Sequence, residues 1–319
     1  MSSGGKTLSI IVVSHNTASL LKQCLDSIEK FLVGKASFGV RVVDNNSTDG
    51  TREMLSIYNK NHDWLETEFL PSNTGFAYAN NVGIRRSNSD YVLLLNSDTY
   101  LIDDSLLGAI AYLDATEDTF GCGCCLVDER LRPAVSYGEF PSPWTVVKEI
   151  AGNKFTRLRA IVPDRGLPDV VPIDFPCGAF FLIKRKYLDA TGLLDESFFM
   201  YYEETDLALR AKRRGYAVVL LPRVRVVHLG GGSSTPDKAL QQETLSYNSW
   251  MKYTVKNHGV VAGIFLKNML RLYFAILTKL PFDSSASFLL HKEALARGWK
   301  SAFVPPNQVP VSSTPARQE

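Results

Sequence analysis

The chain is 319 residues long, 45% hydrophobic and 21% charged, with a net charge of +2. That composition supports a sizeable core in one large domain, or one domain with an appendage. It excludes a disordered chain and gives no bulk charge to draw in nucleic acid.

Leu8 to Val13, Leu-Ser-Ile-Ile-Val-Val, is an apolar β-branched run that predicts a buried strand ending at Ser14-His15-Asn16. Leu20, Leu21, Cys24, Leu25, Ile28, Phe31 and Leu32 recur at helical spacing and predict a helix over about 18 to 32. A second strand, Gly39 to Val43, stops at Asp44-Asn45-Asn46-Ser47-Thr48-Asp49-Gly50-Thr51, a loop that opens a helix over about 50 to 61. A third strand, Glu66 to Leu70, leads into Asn73-Thr74-Gly75-Phe76 and a helix whose N-terminus faces the sheet edge. Tyr91-Val92-Leu93-Leu94-Leu95 has the length and apolarity of a parallel strand buried on both faces, and it ends in Asn96-Ser97-Asp98. Strands alternating with helices predict an α/β fold with a mostly parallel sheet, whose ligands bind beyond the carboxyl ends of the strands.

Further on, the pattern predicts a helix over about 105 to 115 and a strand over Cys122 to Val127. Residues 133 to 172, rich in Pro and Gly, read as irregular, a lid or acceptor wall. Ala179 to Ile183 is strand-like, Thr205 to Arg214 a short helix ending at Gly215, and Val218 to Leu221 and Val224 to Val227 two strands, the second running into His228. Ser246 to Lys256 reads as helix. Gly259 to Leu280 is strongly apolar but interrupted by Lys267 and Arg271, which favours a helix lying in a membrane surface over a core or dimer helix, and either over a true span. Between Trp250 and Lys300 eight basic residues face two acidic ones, so the rest of the chain carries about −4. Residues 304 to 319, rich in Pro and Ser, read as disordered. The five cysteines, Cys24, Cys122, Cys124, Cys125 and Cys177, frame no zinc site and imply buried free thiols in a reducing compartment. Residues 1 to 6 are polar and small, so no signal peptide is expected.

The polar clusters at the strand ends carry the chemistry. An ionised Asp44 accepts hydrogen bonds only, which suits the imide N–H of uracil or thymine; the plain alternative is a helix-capping Asp. Asp98 is a hard oxygen ligand suited to Mg²⁺ or Mn²⁺ carrying a diphosphate, against the plainer role of a turn Asp. His228 becomes a candidate second metal ligand in the company of an acidic cluster, Glu203-Glu204-Thr205-Asp206. Three carboxylates in four residues exceed what a helix dipole needs, and one held among Phe198, Phe199, Tyr201 and Tyr202 would have its pKa raised toward that of a general base. Glu203 and Asp206, three apart, share a side that Glu204 does not.

In order, Ser9 to Asn16, Val43 to Thr51, Asn73 to Ala77 with Asn80-Asn81-Val82-Gly83, Leu95 to Thr99, Gly178 to Leu182, Tyr202 to Leu207 and Val227 to Ser234 resemble the inverting GT-A glycosyltransferases of family 2, in particular the bacterial rhamnosyltransferase-like branch. The resemblance implies a GT-A domain over 1–235; composition and charge beyond it give a C-terminal helical, membrane-associating or dimerising segment over 236–303 and a disordered tail over 304–319. It implies a donor site of Ser14, His15, Asn16, Asp44, Asn46, Asn73, Gly75, Phe76, Asn80, Asn96, Asp98 and Gly178. Asp98 and His228 would hold Mg²⁺ or Mn²⁺, Glu204 would be the catalytic base, and Glu203 and Asp206 would bind acceptor or give support. The implied donor is a dTDP- or UDP-sugar, dTDP-rhamnose first, with UDP-galactofuranose, UDP-galactose and UDP-N-acetylglucosamine behind it. The expected acceptor is a glycan or lipid-linked glycan of cell-surface polysaccharide synthesis; the basic apolar segment 252 to 300 suggests that it is met at the cytoplasmic face of the inner membrane, with a homodimer the other use of that segment. Three positions depart from the family pattern: Asn96-Ser97-Asp98 offers one carboxylate, Glu204 stands where Asp is usual, and His15 where Tyr is frequent. The Asn96 and Glu204 departures keep open a non-catalytic nucleotide-sugar or glycan-binding module of the same fold. A nucleotidyltransferase would need a basic triphosphate loop and a dinucleotide oxidoreductase a GxGxxG after Val13, and the chain has neither.

Overall fold

The computed structural model describes residues 7–142, 158–161, 168–230 and 236–277. In chain order the elements are β1 (Leu8–Ser14), α1 (Ala18–Leu32), β2 (Phe38–Asp44), α2 (Thr51–Asn61), β3 (Leu65–Phe69), α3 (Phe76–Arg85), β4 (Tyr91–Asn96), β5 (Thr99–Leu101), α4 (Ser105–Ala115), β6 (Thr119–Val127), β7 (Val135–Gly138), β8 (Leu158–Ala160), β9 (Val171–Ile173), β10 (Phe175–Pro176), β11 (Phe180–Lys184), α5 (Arg185–Thr191), α6 (Glu203–Arg213), β12 (Ala217–His228), α7 (Pro236–His258) and α8 (Val260–Leu277).

The main sheet runs β3-β2-β1-β4-β11-β6-β12-β5, with β9 added on β12; β10, β7 and β8 form a second, small sheet. β3, β2, β1 and β4 are parallel, as the alternation of strand and helix predicts, and β11 is antiparallel to β4 and β6. The strands read as continuous apolar runs because both faces are covered. Leu8, Ile10 and Val12 of β1 and Leu93 and Leu95 of β4 pack with α1, α2 and α4, through Leu21, Leu25, Ile28, Leu55, Leu106 and Leu113. Ile11, Val92 and Leu94 point the other way, into a layer with Ala77 of α3, Leu188 of α5 and Leu207, Ala208 and Ala211 of α6. The helical spacing of Leu21, Leu25, Ile28 and Leu32 thus faces the sheet, and each of the four is wholly buried.

Several expectations change. Val218–Leu221 and Val224–Val227 belong to one strand, β12, whose register with β6 shifts between Leu221 and Arg225; Pro222, which has no N–H to give a ladder, lies in that shift. The stretch 133 to 172, expected to be irregular, holds β7, β8 and β9, while residues 143–157 and 162–167 of it lie outside the described residues. The C-terminal helix α7 starts at Pro236, ten residues ahead of the apolar signal at Ser246, and residues 278–303 and the tail 304–319 again lie outside the described residues. Gly259, at φ +88°, ends α7 and turns the chain into α8. α8 buries Leu266 and Leu270 and leaves Val260, Val261, Ile264, Phe265 and Leu272 exposed, so it is half protein-packed and half open. No helix among the described residues is long and apolar enough to cross a membrane.

Candidate active site

The strand order reverses at β1, which lies between β2 and β4, and the chain ends of these three strands gather Ser14, Asp44 and Asn96 at one edge. Such a switch point leaves a crevice outside the strand ends. Hydroxyls lace it on one side. Thr17 Oγ1 donates to Ser97 Oγ at 3.0 Å, so the 2.8 Å contact between Ser14 and Thr17 must have Ser14 as donor. His15 Nδ1 lies 2.9 Å from the Asn45 carbonyl, which can only accept, so Nδ1 carries a hydrogen and the exposed ring turns Nε2 outward. Asn16 and Asn46 both sit in left-handed backbone, φ 56° and 68°, a region Asn tolerates better than most side chains.

Asp44 is not a helix cap; Gly50 holds that place. Its carboxylate has no exposed surface and accepts from Arg52 Nε at 2.8 Å and from the Ser47 amide. Arg52 also donates to Asn46 Oδ1 and the Leu70 carbonyl. Asp44 thus has Arg52 as an ion-pair partner, one that the sequence reading does not assign to it. The signal for Arg52 was present: a cation in the first turn of a helix opposes the dipole and needs a partner elsewhere. Buried Asn45, also missed, receives the Thr74 amide and hydroxyl on Oδ1 and donates to Asn73 Oδ1 and the Gly75 carbonyl, pinning the 73–75 loop to β2. Phe76 gives its amide to the Phe199 carbonyl at 2.6 Å. Asn80 is buried with its Nδ2 on the Phe76 carbonyl and its Oδ1 unpartnered among the described residues, as is Asn96 Oδ1.

The turn after β4 brings Asp98 to His228. His228 pairs with Thr99 in the β12–β5 ladder, the Leu229 amide donates to the Asp98 carbonyl, and Asp98 Oδ1 stands 3.4 Å from His228 Nε2. Two ligands sharing one ion at 2.0–2.2 Å each are separated by roughly 3 Å when they meet it at right angles, so the pair fits a divalent cation. One carboxylate and one imidazole leave most of an octahedron to phosphate oxygens and water, and no group of three or more metal-ligating side chains occurs among the described residues.

Glu203 and Glu204 open α6. Glu204 lies against Gly178, where a Cβ would come 3.6 Å from its carboxyl carbon, and its Oε2 is buried without a partner among the described residues. Burial pushes its pKa up to about 7. Burial, then the charge of Glu204, holds the fully enclosed Glu203 well above the usual carboxylate range. Cys177 is pushed up to about 11, by burial above all, with Glu204 and Asp98 both adding to it, so the two acids face one neighbourhood. Asp206 is brought elsewhere: fully buried, it binds Arg210 Nε and Lys256 Nζ, each at 2.8 Å, a supporting position. The five cysteines are free.

The glycosyl transferase family 2 model matches residues 9–192. The low-salt glycan biosynthesis hexosyltransferase Agl10 of Haloferax volcanii is 26% identical over 85% of this chain and 80% of its own. The N-acetylglucosaminyl-diphospho-decaprenol L-rhamnosyltransferase of Mycobacterium tuberculosis is 25% identical over 73% and 79%. Among solved structures, the mannosyltransferase PcManGT of Pyrobaculum calidifontis, in complex with GDP-Man and Mn²⁺, superimposes with a TM-score of 0.59 over 94% of this chain and 88% of that one, at 15% identity. With a matching family model over more than half its length and the GT-A sheet on which those strand ends converge, the chain belongs to glycosyl transferase family 2 and is a glycosyltransferase.

Proposed function

We propose that the protein moves a sugar, rhamnose from dTDP-rhamnose as first choice, from a nucleoside diphosphate to a hydroxyl of a lipid-linked glycan, with inversion at the anomeric carbon. The observation that carries this reading is Glu204, a carboxylate with a buried, unpartnered oxygen beside the turn that bears Asp98. A base held in that state can take the proton of an acceptor hydroxyl as it attacks, help worth about 10²–10⁴-fold. Asp98 and His228 would hold Mg²⁺ or Mn²⁺, which supplies positive charge against the diphosphate leaving group. His15, Asn46, Asn73 and Asp44 form the base end of the donor site, Asp44 becoming available when the half-exposed Arg52 side chain swings outward. The buried, unpartnered oxygens of Asn80 and Asn96 are left to accept from donor hydroxyls or water. Rhamnose is favoured by the relative that is an L-rhamnosyltransferase, and its diphospho-decaprenol name favours a lipid-linked acceptor. The open face of α8, Val260, Val261, Ile264, Phe265 and Leu272 with Arg271 exposed beside them, suits an anionic bilayer surface on the cytoplasmic side.

Glu204→Gln is expected to lower turnover by at least 10²-fold while donor affinity by calorimetry stays within about twofold; parallel loss of donor binding would make Glu204 structural. Because a raised pKa keeps Glu204 protonated in acid, the wild-type rate should climb with pH and level off above about 7. Asp98→Ala should weaken donor binding with metal present and remove its response to EDTA; an unchanged response takes Asp98 out of the metal site. Sedimentation with vesicles containing phosphatidylglycerol should carry the protein down at physiological salt, and Phe265→Glu with Ile264→Glu should release it. Equal recovery with the double variant would contradict the membrane role of α8.

A further inference from the structure

The helix that carries Glu204 is launched from two consecutive tyrosines in left-handed backbone, Tyr201 at φ 69° and Tyr202 at φ 70°. Bulky side chains adopt that conformation at a cost in free energy, so it persists only where the surroundings over-determine it. The segment just before it is gripped from two sides. On the donor side the Phe76 amide holds the Phe199 carbonyl, and Gly75 approaches so closely that a Cβ there would lie 2.4 Å from that oxygen. On the other side stands α7. Ser249 Oγ donates to the Met200 carbonyl at 2.6 Å and Lys252 Nζ to the Ser197 carbonyl at 2.8 Å. The wholly buried Tyr253 ring packs 5.5 Å from that of Tyr202. Lys256 Nζ bridges Asp195 Oδ2 at 2.6 Å and Asp206 Oδ1 at 2.8 Å, one on each side of the tyrosines. Asp206 lies two residues beyond Glu204 and is locked on its other oxygen by Arg210.

We propose that α7 is a positioning element of the active site, in which Ser249 and Lys256 hold the left-handed tyrosines and the first turn of α6 so that Glu204 is aimed at the acceptor hydroxyl. The proposal rests on Glu204 being the base. Neither Ser249 nor Lys256 touches the reacting atoms. They hold the segment that leads into the first turn of α6, where Glu204 lies against Gly178. The same helix packs on α8 through Val255, whose Cγ2 would meet a Cβ on Gly263 at 2.5 Å, so the base is tied to the element with the open apolar face.

The test measures kcat for Mn²⁺-dependent nucleoside diphosphate release, and donor Kd by calorimetry, in Ser249→Ala, Lys256→Met, Lys256→Arg and Glu204→Gln. A misplacement of about 1 Å can cost about 10²-fold in rate. Ser249→Ala and Lys256→Met should therefore lower kcat by about 10- to 100-fold with Kd unchanged, and Lys256→Arg, whose fork spans two carboxylates, should recover most of it. If Lys256→Met fails to fold, Ser249→Ala, which deletes a single hydroxyl, carries the result. Full kcat in folded Ser249→Ala and Lys256→Met beside an inactive Glu204→Gln overturns the positioning role alone. Parallel loss of kcat and donor affinity overturns it in favour of general support. An active Glu204→Gln overturns the base reading and the positioning role with it.

Discussion

The amide of Asn96 donates to the carbonyl of Ala179 where β4 ends and β11 begins. Because β11 is antiparallel to β4, with Phe180 opposite Leu95, the first residues of one strand lie beside the last residues of the other. That junction sets the site. It puts Gly178 under Glu204, and Cys177 where the charges of Glu204 and Asp98 both act on its thiol. The β12–β5 ladder completes it by pairing His228 with Thr99, next to Asp98. The buried Glu204 carboxylate and the Asp98–His228 pair, a candidate cation site, are carried by α6, the turn after β4 and the end of β12.

The arrangement is held against several unfavourable terms. Two adjacent carboxyls are enclosed at the start of α6, and burial favours their protonated forms. For Glu204 the folded pKa of about 7 lies above the ordinary carboxylate value, so the stability it contributes is present in acid and is lost as pH rises through about 7. Tyr201 and Tyr202 add backbone strain at the same place. Opposing these are the buried Asp206 with Arg210 and Lys256, and the guanidinium of Arg210 on the carbonyls of Thr191, Gly192 and Leu193 at the end of α5. Strain and raised pKa meet at one point that neighbouring elements over-determine, the pattern on which the proposed role of Glu204 rests.

The sheet was legible where both of its faces are buried. Leu8 to Val13 and Tyr91 to Leu95 read as strands because no polar residue interrupts their packing on either side save Ser9, and the α1 spacing matches the layer that it covers. Polar clusters directly after such strands mark the crevice edge for the same reason: the apolar run stops where the sheet stops. What the sequence hid is long-range. The helix dipole says that Arg52 needs a partner but not that Asp44 is that partner, and nothing local says that Lys256 would reach Asp195 and Asp206 across fifty residues or more. The start of α7 at Pro236 is hidden because the ten residues ahead of its apolar stripe are mostly polar, and β12 reads as two strands because Pro222 looks like a break although the strand passes through it with a shift in register.

The measurement that bears most directly on this account is release of nucleoside diphosphate from a panel of dTDP- and UDP-sugars, with Mn²⁺ or Mg²⁺ and with EDTA as control. Slow release from one donor, dTDP-rhamnose first, that stops with EDTA is the expected result. No release from any donor, together with no donor binding by calorimetry, would contradict an active metal-dependent transferase and leave a binding module on the same fold.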